Sequence, residues 1–374
     1  MSRMKKSSNP MTIEIMEFQR GHGTNRLLFH HTPERNGFDY LEKERGSGID
    51  AEERALRDAA LAELIDYPII PKLYDVRFDG SGGEVTTRAP YIPGVVYEDD
   101  EYWMSPDNAN LVEKAMDSLF QIHARGRQVL VLGRSEDDKT ASFTDRDSTE
   151  KSVFAIDVIP LVQQIYHGLT PDIPNSAERI YKKVASQLKK IDKNRMHTDL
   201  LIDMFKPMVP FLRELHLDLA RRWQDLPADS KRGWIIHNDF YLGNIVYGDA
   251  QSEHNKAYVI DGEYCAIGSR LWDLAGDMTL NPPKNIYRPE HLNLIVDAYN
   301  RACFRVGLDP ISDRERAVLP YLGVLRILGW LRIVSERIER EKMHKDEISA
   351  IRSFADRKMT ILASLIDHLR SNAV

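Results

Sequence analysis

One stretch limits what this chain can fold into more than any other. It reads WIIHNDFYLGNIVYG over residues 234–248 and AYVIDGEYCAIGSRLWDLAGDM over residues 257–278. Trp234 to Ile236 is a short apolar run that enters a loop, His237-Asn238-Asp239-Phe240-Tyr241-Leu242-Gly243-Asn244. Two further apolar runs, Ile245 to Tyr247 and Ala257 to Ile260, flank the polar turn GDAQSEHNK, a pattern that predicts a hairpin. The second of these strands ends on Asp261-Gly262. A loop carrying Asp239 and Asn244 is thus followed, one hairpin later, by Asp261.

Those residue types suit phosphoryl transfer from a nucleotide. The reaction needs a carboxylate that orients the attacking hydroxyl and accepts its proton, and hard oxygen ligands that hold Mg²⁺ against the phosphates. Protein kinases supply them as His-x-Asp, four residues, Asn, and then a strand-terminal Asp-x-Gly. On that pattern Asp239 is the base, and Asn244 and Asp261 are metal ligands. A lone His-x-Asp or Asp-Gly carries little weight, since an Asp beside a Gly usually just ends a strand; spacing, order and strand context together carry more.

The segment resembles the choline kinase and aminoglycoside phosphotransferase families. HNDFYLGN is similar to their catalytic loop. VIDGEY is similar to the choline-kinase-type strand that carries the metal Asp, and RLWDLA to the downstream segment whose Asp, here Asp273, braces the catalytic loop. The resemblance implies an α+β, protein-kinase-like bilobal fold, with a small mainly β N-lobe holding one helix and a large helical C-lobe. It implies His237 and Asp273 as the residues that hold the loop in shape, and ATP with Mg²⁺ as cofactors. Departures tell against a protein kinase: Asn238 replaces the loop arginine, Tyr241 stands where lysine is general, and no Ala-Pro-Glu occurs. Only eleven residues separate Asp261 from Asp273, too few for a platform that binds a polypeptide. The expected acceptor is therefore a small-molecule alcohol.

At 374 residues the chain exceeds what one core usually supports, so two lobes are expected. Residues 1–11 read as a flexible tail, 12–94 as a nucleotide-binding N-lobe, and 95–374 as a helical catalytic and substrate-binding C-lobe. Pro90, Pro93 and Gly94 mark the hinge. The apolar pattern from Ala51 to Ile65 predicts a helix, and PKLYDVRF with EVTTRAPYI predicts a hairpin. The polar run 134–152 reads as a mobile loop.

On the nucleotide side, the resemblance places a lysine on the third strand and a glutamate on the following helix to hold it. Lys43 is the candidate lysine. Glu53 is the candidate glutamate, with Glu52 and Glu63 as alternatives. Gly21, Gly23 and Thr24 in GHGTN lie where a phosphate-covering loop belongs, and fit a plain hairpin turn equally well. No G-x-x-x-x-G-K-[ST] loop occurs. Ala89 and Tyr91 fall where backbone groups face the adenine.

Lys+Arg total 51 and Asp+Glu 57, so the net charge is −6, which argues against a nucleic-acid binder and is compatible with a cationic substrate. Two cysteines build neither a disulfide scaffold nor a four-thiolate zinc site. Neither a signal peptide nor a membrane span is read, so the expectation is a cytoplasmic protein. The sequence leaves the oligomeric state open. Candidate acceptor residues are Glu263, Tyr264 and Asp277; Trp272 and Trp330 read as packing residues at helical spacing. An amino alcohol such as choline or ethanolamine is favoured by HND and DGEY, with an aminoglycoside or sugar as the alternative. A non-catalytic, kinase-like nucleotide-binding regulatory module is the competing class.

Overall fold

Strand-forming runs near the N-terminus pair into one antiparallel sheet. A computed structural model describes residues 5–6, 13–16, 26–30, 40–47, 49–65, 67–73, 75–78, 84–97, 107–132, 142–144, 150–152, 209–231, 233–248, 255–276, 282, 285–340 and 345–371. The sheet contains β1 (Lys5–Lys6), β2 (Ile13–Met16), β3 (Arg26–His30), β4 (Tyr40–Ser47), β5 (Asp75–Phe78) and β6 (Glu84–Pro90), in the order β1-β2-β3-β4-β6-β5. In β4 successive side chains alternate faces. Glu42 lies opposite Arg88 of β6 and accepts its Nε–H at 2.6 Å. Lys43 and Arg45 share the other face.

Between β4 and β5 runs α1 (Ile49–Ile65). Its buried face begins with alanines, Ala51, Ala55 and Ala59, which together with Ala60 pack on Val76 and Val85 of the sheet in a small core of their own. Small side chains let the helix lie close. Leu61 and Ile65 of the same helix belong instead to the main core. One helix thus borders both lobes.

The rest is mostly helical: α2 (Asn108–Leu132), α3 (Val209–Gln224), α4 (Ala228–Lys231), α5 (Arg270–Leu274), α6 (Pro289–Val306), α7 (Asp313–Arg340) and α8 (Lys345–Ser371). Apolar residues of α2, α3, α6, α7 and α8 form the main core with the central strands. A small strand-rich N-terminal region against a mostly helical remainder is the bilobal α+β arrangement.

Short strands thread the helical lobe. β10 (Trp234–Ile236) pairs with β13 (Ala266–Gly268), and β11 (Ile245–Gly248) lies between β12 (Ala257–Val259) and β7 (Gly94–Val95). The hinge segment is therefore also a strand, with Val95 opposite Tyr247. Gly94 is needed there, because a Cβ would stand 2.5 Å from the Tyr247 carbonyl oxygen.

Two segments differ from the sequence expectation. Lys5–Lys6, within the expected tail, pairs with Ile13 and Glu14. Within the expected mobile run, β8 (Ser142–Thr144) and β9 (Glu150–Ser152) form an antiparallel pair, Phe143 opposite Lys151. Polar strands of this length carry no apolar alternation, so periodicity gave no sign of them. Among the described residues no helix is long and apolar enough to cross a membrane.

Candidate active site

β10 is fully buried and ends at Ile236, where the loop begins. The chain turns at Asn238, whose φ of 65° is left-handed, a conformation that Asn tolerates better than most residues. Asp273 of α5 fixes this turn. Its Oδ2 accepts the His237 backbone N–H and its Oδ1 the Asn238 N–H, each at 2.7 Å. Burial alone would raise the Asp273 pKa; the hydrogen bond from His123, with the positive charge of Arg326, outweighs it and holds the carboxyl below its usual range. For His123 burial dominates and lowers the pKa despite Asp273. Neutral His123 then donates Nε2–H to Asp273 at 3.1 Å and accepts the Tyr299 O–H at Nδ1, at 2.8 Å.

A single turn of 3-10 helix, Leu242–Asn244, closes the loop. The Asn244 amide donates Nδ2–H to the Asp239 carbonyl at 2.9 Å and to Asp239 Oδ2 at 3.1 Å. The β11–β12 hairpin pairs Ile245 with Val259, and the Ile260 N–H donates to the Asn244 carbonyl at 3.0 Å. His237 donates Nε2–H to the Ile260 carbonyl at 3.1 Å. Asp261 is the next residue, also left-handed at φ 64°. The hairpin register and these bonds bring Asp239, Asn244 and Asp261 to one place.

The small lobe reaches the same place through β4. Lys43 Nζ donates to Asp261 Oδ1 at 2.6 Å and to Glu263 Oε2 at 3.2 Å. Burial tends to raise the Asp261 pKa, but Lys43 and Arg45 win and keep it low. Arg45 is 1% exposed and forms ion pairs with Asp58 of α1 and with Glu263. Asp58 uses its other oxygen, Oδ1, to accept the Gly262 N–H at 2.8 Å. Gly262 lies so close to α1 that a Cβ would be 2.6 Å from Leu61 Cδ2.

One expectation, for Glu263, needs correcting; that for the partner of Lys43 falls mostly on side chains outside the described residues. Among the described side chains the α1 carboxylate that reaches β4 is Asp58, and it holds Arg45, whereas Lys43 lies on Asp261 and Glu263. The side chains of Glu53 and Glu63 lie outside the described residues. Glu263, expected to face the acceptor, is buried among Lys43, Arg45 and Arg54. Burial and the charge of Asp261 push its pKa up. It braces the basic pair and offers no open carboxylate to a substrate.

Ala89 lies in β6 opposite Leu41, and Tyr91 follows the end of that strand, ahead of β7. Tyr264 is 39% exposed beside the loop, its carbonyl accepting Nδ2–H of Asn238 at 3.0 Å. Gly21, Gly23, Thr24 and Asp277 lie outside the described residues. Trp330 packs edge-on against Phe354, ring centroids 6.0 Å apart. Trp272 does more than pack, since its Nε1–H donates to Asn238 Oδ1 at 2.7 Å. Sequence reasoning missed Arg45, Asp58, His123, Tyr299 and Arg326. Only Arg45 had a usable signal, its spacing of two from Lys43 on a strand.

Among the described residues, three or more His, Cys, Asp or Glu side chains nowhere gather as a metal cluster. The Asp261 carboxylate and the Asn244 amide oxygen are the two hard oxygens that could hold a metal here. That set fits Mg²⁺, which takes one or two carboxylates and completes its shell with water and phosphate oxygens.

The model of a family described as "phosphotransferase enzyme family" matches residues 41–302. No match was found among curated protein sequences. Among solved structures, the chain is similar to a Ralstonia eutropha JMP134 protein assigned as an aminoglycoside phosphotransferase, with 15% identity and a TM-score of 0.51 over 94% of this chain and 92% of that one. It is also similar to a mutant aminoglycoside 2'-phosphotransferase-IIIa in complex with GDP, with 10% identity and a TM-score of 0.54 over 94% and 90% of the two chains. At these identities the likeness is one of fold.

Proposed function

The chain belongs to the phosphotransferase enzyme family and is a small-molecule kinase by that membership, and we propose that it transfers the γ-phosphoryl group of ATP to a hydroxyl. One observation supports this above all: Asp239, Asn244 and Asp261 meet beside Lys43. Asp239 orients the acceptor hydroxyl and takes its proton as the oxygen attacks the γ-phosphorus and the bond to the leaving ADP breaks. Asn244 and Asp261 would hold Mg²⁺, which when bound would neutralise developing phosphate charge. Lys43 turns from Asp261 to the nucleotide's α- and β-phosphates, with Glu263 beside it and Arg45 holding Glu263 in place. His237 and Asp273 hold the loop in shape. Residues 12–94 carry the nucleotide, with Ala89 and Tyr91 beside the adenine, and residues 95–374 carry the acceptor. A cytoplasmic setting fits an ATP donor and the free, buried cysteines Cys265 and Cys303.

For the acceptor, an aminoglycoside or sugar hydroxyl comes first. The amino-alcohol preference rested on HND and DGEY, and both features turn inward: Asn238 bonds Trp272 and Tyr264, and Glu263 bonds the basic pair. The test is transfer of labelled phosphate from ATP with Mg²⁺ to two panels, aminoglycosides with sugars, and choline with ethanolamine. Transfer to the first panel, abolished by Asp239→Asn, supports the proposal. Transfer to choline or ethanolamine alone overturns the acceptor class, and no transfer to either panel overturns the activity proposed.

A further inference from the structure

Asn238 has every polar group engaged, on three elements: α5, α7 and the turn Gly262–Tyr264. Its N–H donates to Asp273 of α5 at 2.7 Å, and its carbonyl accepts Nη2–H of Arg326 from α7 at 3.0 Å. Its side-chain oxygen accepts the Trp272 indole N–H at 2.7 Å, and its side-chain nitrogen donates to the Tyr264 carbonyl at 3.0 Å. The Arg326 guanidinium also stacks over the Trp272 ring, 5.1 Å from its centroid, and is 5% exposed. The residue is neither a base nor a metal ligand. It stands immediately before Asp239, and the Tyr264 carbonyl it grips is three residues beyond Asp261.

The backbone requirement at this position is only a left-handed φ, which glycine meets without strain. Glycine would lose both side-chain bonds. The amide of Asn238 therefore adds something the turn itself does not need: a direct tie between the loop bearing Asp239 and the turn bearing Asp261. We propose that Asn238 is a positioning residue, a clasp that with Trp272 sets the distance between the proton-accepting carboxylate and the metal-holding carboxylate. The roles of those two carboxylates are taken from the function proposed above; the clasp itself is geometric. Displacing a reacting group by about 1 Å costs on the order of 100-fold in rate, so a loosened tie shows in turnover long before it shows in folding.

The variants are Asn238→Gly, which keeps the left-handed turn and removes the amide, and Trp272→Phe, which keeps an aromatic face under Arg326 and removes the indole N–H. Two readouts are taken on the full chain. Hydrogen exchange with mass spectrometry follows peptides covering residues 237–244 and 261–265. Steady-state ADP formation from Mg·ATP with the best acceptor of the two panels gives kcat and the KM for ATP. In Asn238→Gly both peptides exchange faster and kcat falls about 10- to 100-fold, while KM for ATP stays within about twofold. Trp272→Phe shows the same changes in smaller degree. Should Asn238→Gly exchange like wild type in both peptides, or keep wild-type kcat, the clasp is refuted and glycine's backbone suffices. A wild-type protein that forms no ADP with any acceptor of either panel sinks the proposed activity instead, and the exchange measurement then decides the clasp alone.

Discussion

His123 offers a sharp test of how the catalytic loop is held. It is fully buried on α2, with Asp273, Tyr299, Arg270 and His237 as its titratable and charged neighbours. Burial lowers its pKa from the ordinary 6.5. The unfolded chain therefore binds a proton near pH 6.5 that the folded protein resists. When the unfolded state binds more protons, stability falls as pH drops, here from about 6.5 down to the folded pKa. One proton taken up only by the unfolded state is worth about 1.4 kcal/mol per pH unit. Between pH 7.5 and 5.5 His123 should thus cost up to about 1.4 kcal/mol of stability. The Asp273 carboxyl, held below its ordinary 3.8, also loses stability on acidification, but in a lower window. His291 and His368, both lowered mainly by burial, act in the same direction as His123 and must be subtracted. The perturbation is His123→Gln, whose amide still donates to Asp273 and accepts from Tyr299 but does not titrate. Urea unfolding at pH 7.5 and 5.5 is followed by tryptophan fluorescence, to which Trp234 contributes with its ring 6.2 Å from that of His123. Wild type should lose about 1 kcal/mol more than the variant over that interval. Equal losses would refute a neutral, proton-resisting His123.

Gly262→Ala should lower stability by about 1–3 kcal/mol through overpacking, because the new Cβ would stand 2.6 Å from Leu61 Cδ2. Thermal melts of Gly262→Ala and of its double variant with Leu61→Ala check this, since trimming Leu61 should remove part of the coupling. Arg45→Met would leave Asp58 and Glu263 without their buried cation, and should cost about 3 kcal/mol and raise the KM for ATP. A melt within one or two degrees of wild type would show that Lys43 and Arg54 suffice.

The loop from His237 to Asn244 was legible because its pattern is local. Asp239, Asn244 and the β11–β12 hairpin lie within about two dozen residues, and spacing alone relates them. The pairing of β10 with β13 was not, since Trp234 and Gly268 meet only through the tertiary fold. In the run Glu42-Lys43-Glu44-Arg45 the sequence singled out Lys43 but gave Arg45 no role. Strand alternation sends Glu42 to Arg88 on one face and Lys43 with Arg45 to the site on the other. The partner of Arg45, Glu263, is 218 residues away in sequence, and no local pattern could have named it. Asp58 was hidden for a related reason. The lysine–glutamate expectation looked mainly at the first turn of α1, whereas the helix meets the turn bearing Asp261 further along, where Leu61 and Asp58 lie against Gly262. His123 looked like one more residue of an apolar helix face.

The most direct measurement is labelled-phosphate transfer from ATP with Mg²⁺ to the best acceptor of the two panels, for wild type, Asp239→Asn and Asp261→Asn side by side. Both variants should fold as wild type does by circular dichroism and lose at least about 100-fold in kcat, with Asp261→Asn also demanding more Mg²⁺ for half-maximal rate. Wild-type turnover in either variant, or an unchanged Mg²⁺ requirement in Asp261→Asn, would contradict the roles given to these two carboxylates.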